Sequence, residues 1–433
     1  MAGLENAGLG AFLSPLTIIG GGWAGLAAAV RATEQGYSVR LLEAAPQLGG
    51  RARRVMHDGL ALDNGQHILI GAYRDTLNLL QTLGINTKTA LCRMPLQLQT
   101  IAGEGLALPR LPAPLNLLIG LGRAKGWTWG DKFTLLRVAA QWQRQGFRCE
   151  AHLNVAQLCQ NIPSKVMNSL IEPLCVSALN LPSHLASAQV FLTVLKDALW
   201  SGQGGSDLLL PRVDLGRLMP DAALAWLSQQ GAVVQTHQRV QTLEPWQNAP
   251  VVLACPPWEA ALLTQTLAPE WSAKAAGLAH TAISTVYVRT QQALDWPQAM
   301  LALTSSAHAP AQFAFDKGRL SADPQFKGVV ALVVSASLGE RDAISANVMR
   351  QLPEQLGIFD ATLLTTVVEK RATFACVPAL ERPAMQVCDG VVACGDYVAG
   401  PYPATLEAAV RSGFAAVDAL KNQAQAQNLG GNR

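Results

Sequence analysis

Leu16-Thr17-Ile18-Ile19 runs straight into Gly20-Gly21-Gly22-Trp23-Ala24-Gly25, and this junction limits the possible folds more than any other stretch. The residues before the glycines are apolar or β-branched, the pattern of a short strand buried within a parallel sheet. Leu26-Ala-Ala-Ala-Val-Arg-Ala-Thr-Glu-Gln follows and reads as a helix, with Gly36 as its C-terminal stop. Ser38 to Leu42 forms a second strand, and Glu43 stands at its end. Strand, glycine turn, helix and parallel strand in such close order make a βαβ unit, so the fold class is α/β.

Each part of the unit has a physical task. Gly20 permits a tight turn, Gly22 lets the backbone approach a pyrophosphate, and Gly25 lets the helix pack on the strand. Trp23 and Ala24 open the helix, whose free N–H groups and positive end attract phosphate. Glu43, 23 residues after Gly20, suits a ribose diol. A glycine turn alone could imitate the first part; the strand, helix and acid around it point to a dinucleotide. Gly49-Gly50-Arg51 follows closely, and a guanidinium there matches phosphate oxygens.

The late part of the chain carries a second set. Gly390-Val-Val-Ala-Cys-Gly395-Asp396 reads as a strand ending in Gly-Asp, and Pro403 to Gly413 as a helix with Thr405 and Leu406 near its start. Between the sets, Asp221 to Gln230 reads as an amphipathic helix. Ala232 to Gln235, Arg239 to Leu243 and Pro250 to Pro257 read as three strands.

The run from Thr17 to Arg51 resembles the FAD-binding start of flavin amine oxidases and phytoene-type carotenoid desaturases. Asp63-Asn64-Gly65-Gln66-His67 through Tyr73, Glu172 to Asn180, and Asp207 to Gly216 resemble, within that superfamily, the hydroxysqualene dehydroxylases of squalene and hopanoid biosynthesis. Leu181 departs from the small polar residue that the resemblance leads one to expect after Asn180. The resemblance implies a discontinuous Rossmann-type FAD-binding domain (15–84, 206–264 and 386–421) and a mixed α+β substrate-binding domain (85–205 and 265–385). Residues 1–14 and 422–433 read as loose ends. It also implies that Asp396 meets the ribityl chain, that the helix start at Thr405-Leu406 faces the flavin edge, and that Gly65, Gln66 and His67 lie under the ring. Val240 would meet adenine through its backbone, or be a core valine.

The reaction that the resemblance implies is reductive. Hydroxysqualene loses its hydroxyl as water, reduced FAD supplies hydride, and squalene results. The chemistry is sound because an allylic alcohol ionises to a delocalised cation. His67 and Glu172 are the candidates for the acid at the departing hydroxyl; a turn-orienting role for His67 and a helix-capping role for Glu172 are the alternatives. Other readings are a phytoene-type desaturase running oxidatively, a flavin amine oxidase with Tyr397 and Tyr402 stacked beside the flavin, and a non-enzymatic prenyl-binding regulator.

Composition narrows the partners. Lys plus Arg number 33 against 30 Asp plus Glu, a net charge of +3 with no basic block, so a nucleic-acid partner is not expected. The eight cysteines form no C-x-x-C pair and no metal-ligand spacing, so they read as small buried hydrophobes and no metal is expected. Residues 1–15 do not read as a secretion signal, which makes the cytoplasm the expected location. Mean hydropathy is nevertheless high, at +0.19. The segment from Leu115 to Trp129 sets apolar residues beside Arg123, Lys125, Trp127 and Trp129, which suits an ordinary core helix or peripheral contact with the inner face of the cytoplasmic membrane.

Overall fold

The computed structural model describes residues 13–430 apart from 113, 201 and 248. The opening strand, Leu13–Ile19, leads into the helix Trp23–Glu34 and the parallel strand Tyr37–Leu42. Leu16 and Ile18 are fully buried, as a strand covered on both faces requires. These elements belong to a six-stranded sheet whose spatial order is Val233–Gln235, Tyr37–Leu42, Leu13–Ile19, Val251–Leu253, Val391–Ala393, Gln386–Cys388. All neighbouring pairs are parallel except the last. Strands from three distant parts of the chain thus form one sheet. The C-terminal helix Leu406–Gly430 lies against Trp23–Glu34, where Arg31 Nε pairs with Asp418 at 3.0 Å.

A second, antiparallel sheet has five strands, ordered Met300–Ala302, Phe313–Asp316, Val329–Ser337, His280–Arg289, Thr362–Phe374. The strand period of two divides it cleanly. Val286, Val288, Val330, Leu332 and Val334 pack with Ile344, Val348 and Leu352 of the helix Arg341–Leu356. Tyr287, Phe313, Phe315 and Val333 point the other way, into the core shared with the helices Trp129–Arg144, Glu172–Leu179 and Ala188–Trp200. Five of the cysteines, Cys159, Cys175, Cys255, Cys376 and Cys394, are buried and free; burial pushes the Cys159 thiol up to about 12.

Three expectations need correction. Arg239 to Leu243 forms no strand: the strand Val233–Gln235 already occupies the sheet edge beside Tyr37–Leu42. The backbone that follows it bonds to the loop after the second strand, Gln238 N–H donating to the Glu43 carbonyl at 2.8 Å. The tail from 422 is not loose through to its end, since the last helix reaches Gly430 on a run of Ala and Gln, both good helix formers. Residues 13 and 14, read as part of a loose N-terminus, belong to the first strand. Residues 1–12 and 431–433 lie outside the described residues.

Candidate active site

The glycine turn after the first strand is shaped by contacts that no side chain would allow. Gly20 has φ +113°, and a Cβ there would lie 2.6 Å from the Ala254 carbonyl. A Cβ on Gly25 would lie 1.9 Å from the Gly20 oxygen, so only glycine lets the helix meet the turn. Gly22 caps the helix without any side-chain bond and forms a parallel bridge with Gly49, whose N–H donates to the Gly21 carbonyl at 2.8 Å, so the two glycine turns pack directly together. The first-turn N–H groups and the positive end of the Trp23–Glu34 helix are thereby offered to an anion.

Glu43 fixes this cradle. Its Oε2 accepts the Gly21 N–H at 2.6 Å and its Oε1 accepts the Ala45 N–H at 2.7 Å. Each carboxylate oxygen retains a further lone pair for a diol. Trp23 turns outward from the helix start and donates through Nε1 to the Ala52 carbonyl at 3.1 Å.

Arg51 reaches across 345 residues to Asp396, Nη2 to Oδ1 at 2.6 Å, while its Nη1 donates to the Ala372 carbonyl at 2.7 Å. Burial alone would lower the Arg51 pKa, but the charges of Asp396 and Glu369 outweigh it and hold the group above its ordinary value. Asp396 follows Gly395, whose φ is +152° and whose N–H donates to Ser412 Oγ at 2.8 Å. The Tyr397 ring lies directly under Gly395.

One cavity of about 750 Å³ unites these pieces. Every cofactor candidate lines it except Gly25, which instead packs behind the turn: Gly20, Gly22, Trp23, Ala24, Glu43, Gly50, Arg51, Gly65, Gln66, His67, Val240, Gly395, Asp396, Thr405 and Leu406 all face the same space. Glu172 does not. Both of its carboxylate oxygens accept the Ser183 N–H at 3.2 Å, a structural task. Away from the glycines the wall becomes apolar, with Ile68, Ile70, Val194, Ile283, Phe313 and Phe315. Tyr402 also lines the cavity, where its hydroxyl donates to Asp197 at 2.5 Å and accepts from Arg411 at 3.0 Å.

The Asp63–His67 turn stands where the polar and apolar ends meet. His67 Nδ1 lies 3.0 Å from the Gly65 carbonyl, which can only accept, so Nδ1 carries the hydrogen. Burial pushes the His67 pKa down despite that bond and the nearby Asp63, leaving a neutral ring with Nε2 as an acceptor. The turn is held from the antiparallel sheet by groups that the sequence did not advertise. Tyr287 donates its hydroxyl to the Asp63 carbonyl at 3.0 Å. Lys317 Nζ lies 3.5 Å from Asp63 Oδ2 and 3.3 Å from Gln66 Oε1. Burial pushes the Asp63 carboxyl above its ordinary range, with Lys317 and the Leu215 N–H opposing. Asp316-Lys317-Gly318 reads as an exposed turn, and nothing local marks it otherwise.

The polar atoms fit a bound flavin dinucleotide. Tyr397 Oη and Thr285 Oγ1 are buried without a partner, the first in a residue lining the cavity and the second 3.9 Å from where a Gly65 Cβ would stand. Buried hydroxyls seldom go unpaired unless a ligand or water completes them. The cradle, the helix end and the Glu43 carboxylate supply the remaining donors and acceptors that such a nucleotide needs.

The sequence matches the family model described as flavin containing amine oxidoreductase over residues 23–421. The chain belongs to this family. It is an FAD-dependent oxidoreductase with the amine-oxidase type of fold. It is 27% identical to a hydroxysqualene dehydroxylase of Rhodopseudomonas palustris, covering 93% of this chain and 97% of the relative. It is 25% identical to a hydroxysqualene dehydroxylase of Zymomonas mobilis, covering 94% and 99%. Among solved structures, an oxidoreductase from Methanosarcina mazei superposes with a TM-score of 0.71 at 15% identity, over 94% of this chain and all of that one.

Proposed function

We propose that this enzyme removes the hydroxyl group of hydroxysqualene to give squalene and water. The observation that carries the reading is the single cavity in which a nucleotide cradle passes, at the Gln66-His67 turn, into apolar walls. The names of the full-length relatives point the same way. Reduced FAD supplies the hydride and proton that balance the loss of water.

The residues of the chain do the rest. Segments 15–84, 206–264 and 386–421 hold FAD: Gly20, Gly22 and the helix start at Trp23-Ala24 take the pyrophosphate, and Glu43 the ribose. Arg51 and Asp396, already paired, are the groups that Gly50 and Gly395 bring to the middle of the cofactor. The Val240 backbone serves the adenine end, and Thr405 and Leu406 the flavin edge. Segments 85–205 and 265–385 enclose the hydrocarbon, with Phe313, Phe315 and Ile283 excluding water from the reacting carbon. We take His67, whose ring burial keeps neutral, as an acceptor at Nε2 rather than as the acid.

A C30 hydrocarbon is held in membranes, and the enzyme meets it there. No helix among the described residues is long and apolar enough to cross a bilayer. Contact is made instead by the face around the Leu115–Arg123 helix and the start of Trp129–Arg144. Leu115 is 53% exposed, Leu118 47%, Trp129 76% and Phe133 70%. Arg110, Arg123, Lys125 and Arg137, close to them in sequence, are exposed and have no ion-pair partner among the described residues, which leaves their charge for anionic headgroups on the inner face of the cytoplasmic membrane.

The test is anaerobic. Enzyme carrying dithionite-reduced FAD is mixed with hydroxysqualene in detergent, and the expected result is squalene with oxidation of the flavin. Flavin-loaded enzyme that leaves hydroxysqualene unchanged would overturn the proposal.

A further inference from the structure

We propose that Lys317 is a positioning residue that fixes the orientation of the Gln66 carboxamide, so that Gln66 presents its NH2 group as the donor for the hydroxyl oxygen of the substrate. The second half rests on the dehydroxylase reading above.

Lys317 is 5% exposed, and a buried lysine is costly unless its donors are engaged. Asp63 alone would satisfy its charge, at 3.5 Å. The contact to Gln66 Oε1, at 3.3 Å, does something else. Lysine donates and cannot accept, so the carboxamide must turn its oxygen toward Nζ. The opposite flip would set two N–H donors against each other inside the protein. The Gln66 Nε2 hydrogens are therefore directed away from Lys317, and among the described residues their one hydrogen-bond partner is the His67 carbonyl at 3.5 Å, a long bond. Gln66 lines the cavity.

His67 completes the arrangement. Its Nδ1–H is engaged by the Gly65 carbonyl, and its neutral ring leaves Nε2 as a lone pair. Gln66 and His67, adjacent in the turn and both facing the cavity, then form a donor beside an acceptor. An alcohol accepts from the first and donates to the second. A hydrocarbon can do neither. Lys317 arrives from the antiparallel sheet, at the end of the Phe313–Asp316 strand whose Phe313 and Phe315 line the apolar wall. The same element that shapes the hydrocarbon wall thus sets the polar contact.

The experiment compares substrate with product, which differ by this hydroxyl. The oxidised holoenzyme is titrated in detergent micelles with hydroxysqualene and with squalene, following the flavin absorption band. Wild type should bind hydroxysqualene the more tightly. K317M and Q66L should each reduce that preference about tenfold, with squalene affinity changed less than about twofold. The double variant should lose no more than either alone, because both act through one carboxamide. K317R, which keeps a donor, should recover part of the preference. Wild-type preference in K317M and Q66L, or additive losses, would overturn the proposal. If K317M does not fold or hold flavin, Q66L decides alone, because it leaves the Lys317–Asp63 pair in place. Wild type that fails to convert hydroxysqualene removes the dehydroxylase reading and this proposal with it. Wild-type conversion combined with unchanged preference in both variants removes this proposal only.

Discussion

Two glycines three residues apart should respond to the same substitution in opposite ways. At Gly22 the backbone has φ −74° and ψ −179°, a conformation open to any residue. A Cβ there would meet nothing nearer than Gly50 Cα at 3.9 Å, an ordinary contact. G22A should therefore leave the apoprotein folded, and its smaller unfolded-state entropy should add about 0.4–1 kcal/mol of stability. Gly22 nevertheless lines the cavity at the helix start, and the new methyl crowds the backbone N–H groups to which the proposed pyrophosphate must come close. Loss of one charge-assisted hydrogen bond is worth about 1.5–3 kcal/mol, so FAD affinity should fall roughly 10- to 150-fold. Gly25 is the reverse case. Its Cβ would sit 1.9 Å from the Gly20 oxygen and 3.0 Å from Ala254 Cβ, and the helix or the turn must shift by more than an ångström to admit it. G25A should cost the apoprotein about 3 kcal/mol or more, at the upper end for overpacking. Urea unfolding of both apoproteins, with FAD titrations by quenching of flavin fluorescence, separates the cases. A G22A protein that binds FAD as wild type does, or is destabilised as much as G25A, would refute the assignment of the Gly22 turn to the pyrophosphate.

The remaining predictions concern His67 and the exposed apolar face. Burial lowers the folded-state pKa of His67 below its unfolded value, so the stability of the neutral ring is present above about pH 6.5 and is lost as pH falls toward the folded-state pKa. H67N lacks this group, so wild type should lose stability relative to H67N between about pH 7 and pH 5 in thermal melts; a constant difference across that range contradicts the assignment. Replacing Leu115, Leu118, Trp129 and Phe133 by Ser should abolish co-sedimentation with phosphatidylglycerol vesicles while flavin content stays at the wild-type level. Unchanged co-sedimentation, or a wild type that ignores such vesicles, would exclude this face as the membrane contact.

The cofactor half of the site was legible in the sequence, and the substrate half largely was not, for one physical reason. The glycine cradle is built chiefly of backbone groups, and backbone conformation is controlled locally. Gly20 and Gly25 announce their turn within six residues, because φ of +113° at the first and a 1.9 Å approach at the second admit nothing but glycine. The long-range pair Arg51 and Asp396 was not foreseen as a pair: the motifs named each residue for a different part of the cofactor, and only the fold brings them to 2.6 Å. The error at Arg239 to Leu243 is of another kind. Its pattern is fit for a strand, but the edge it needed is occupied by Val233–Gln235, and a pattern carries no information about occupied edges. Lys317 lies further beyond local reading. A lysine between Asp and Gly signals an exposed turn, and its burial is decided by Asp63, 254 residues earlier in the chain. Groups that recognise a substrate are side chains whose orientation depends on such distant partners. A motif can therefore name the cofactor of a flavoenzyme while the choice of substrate stays hidden in the packing of one sheet against one turn.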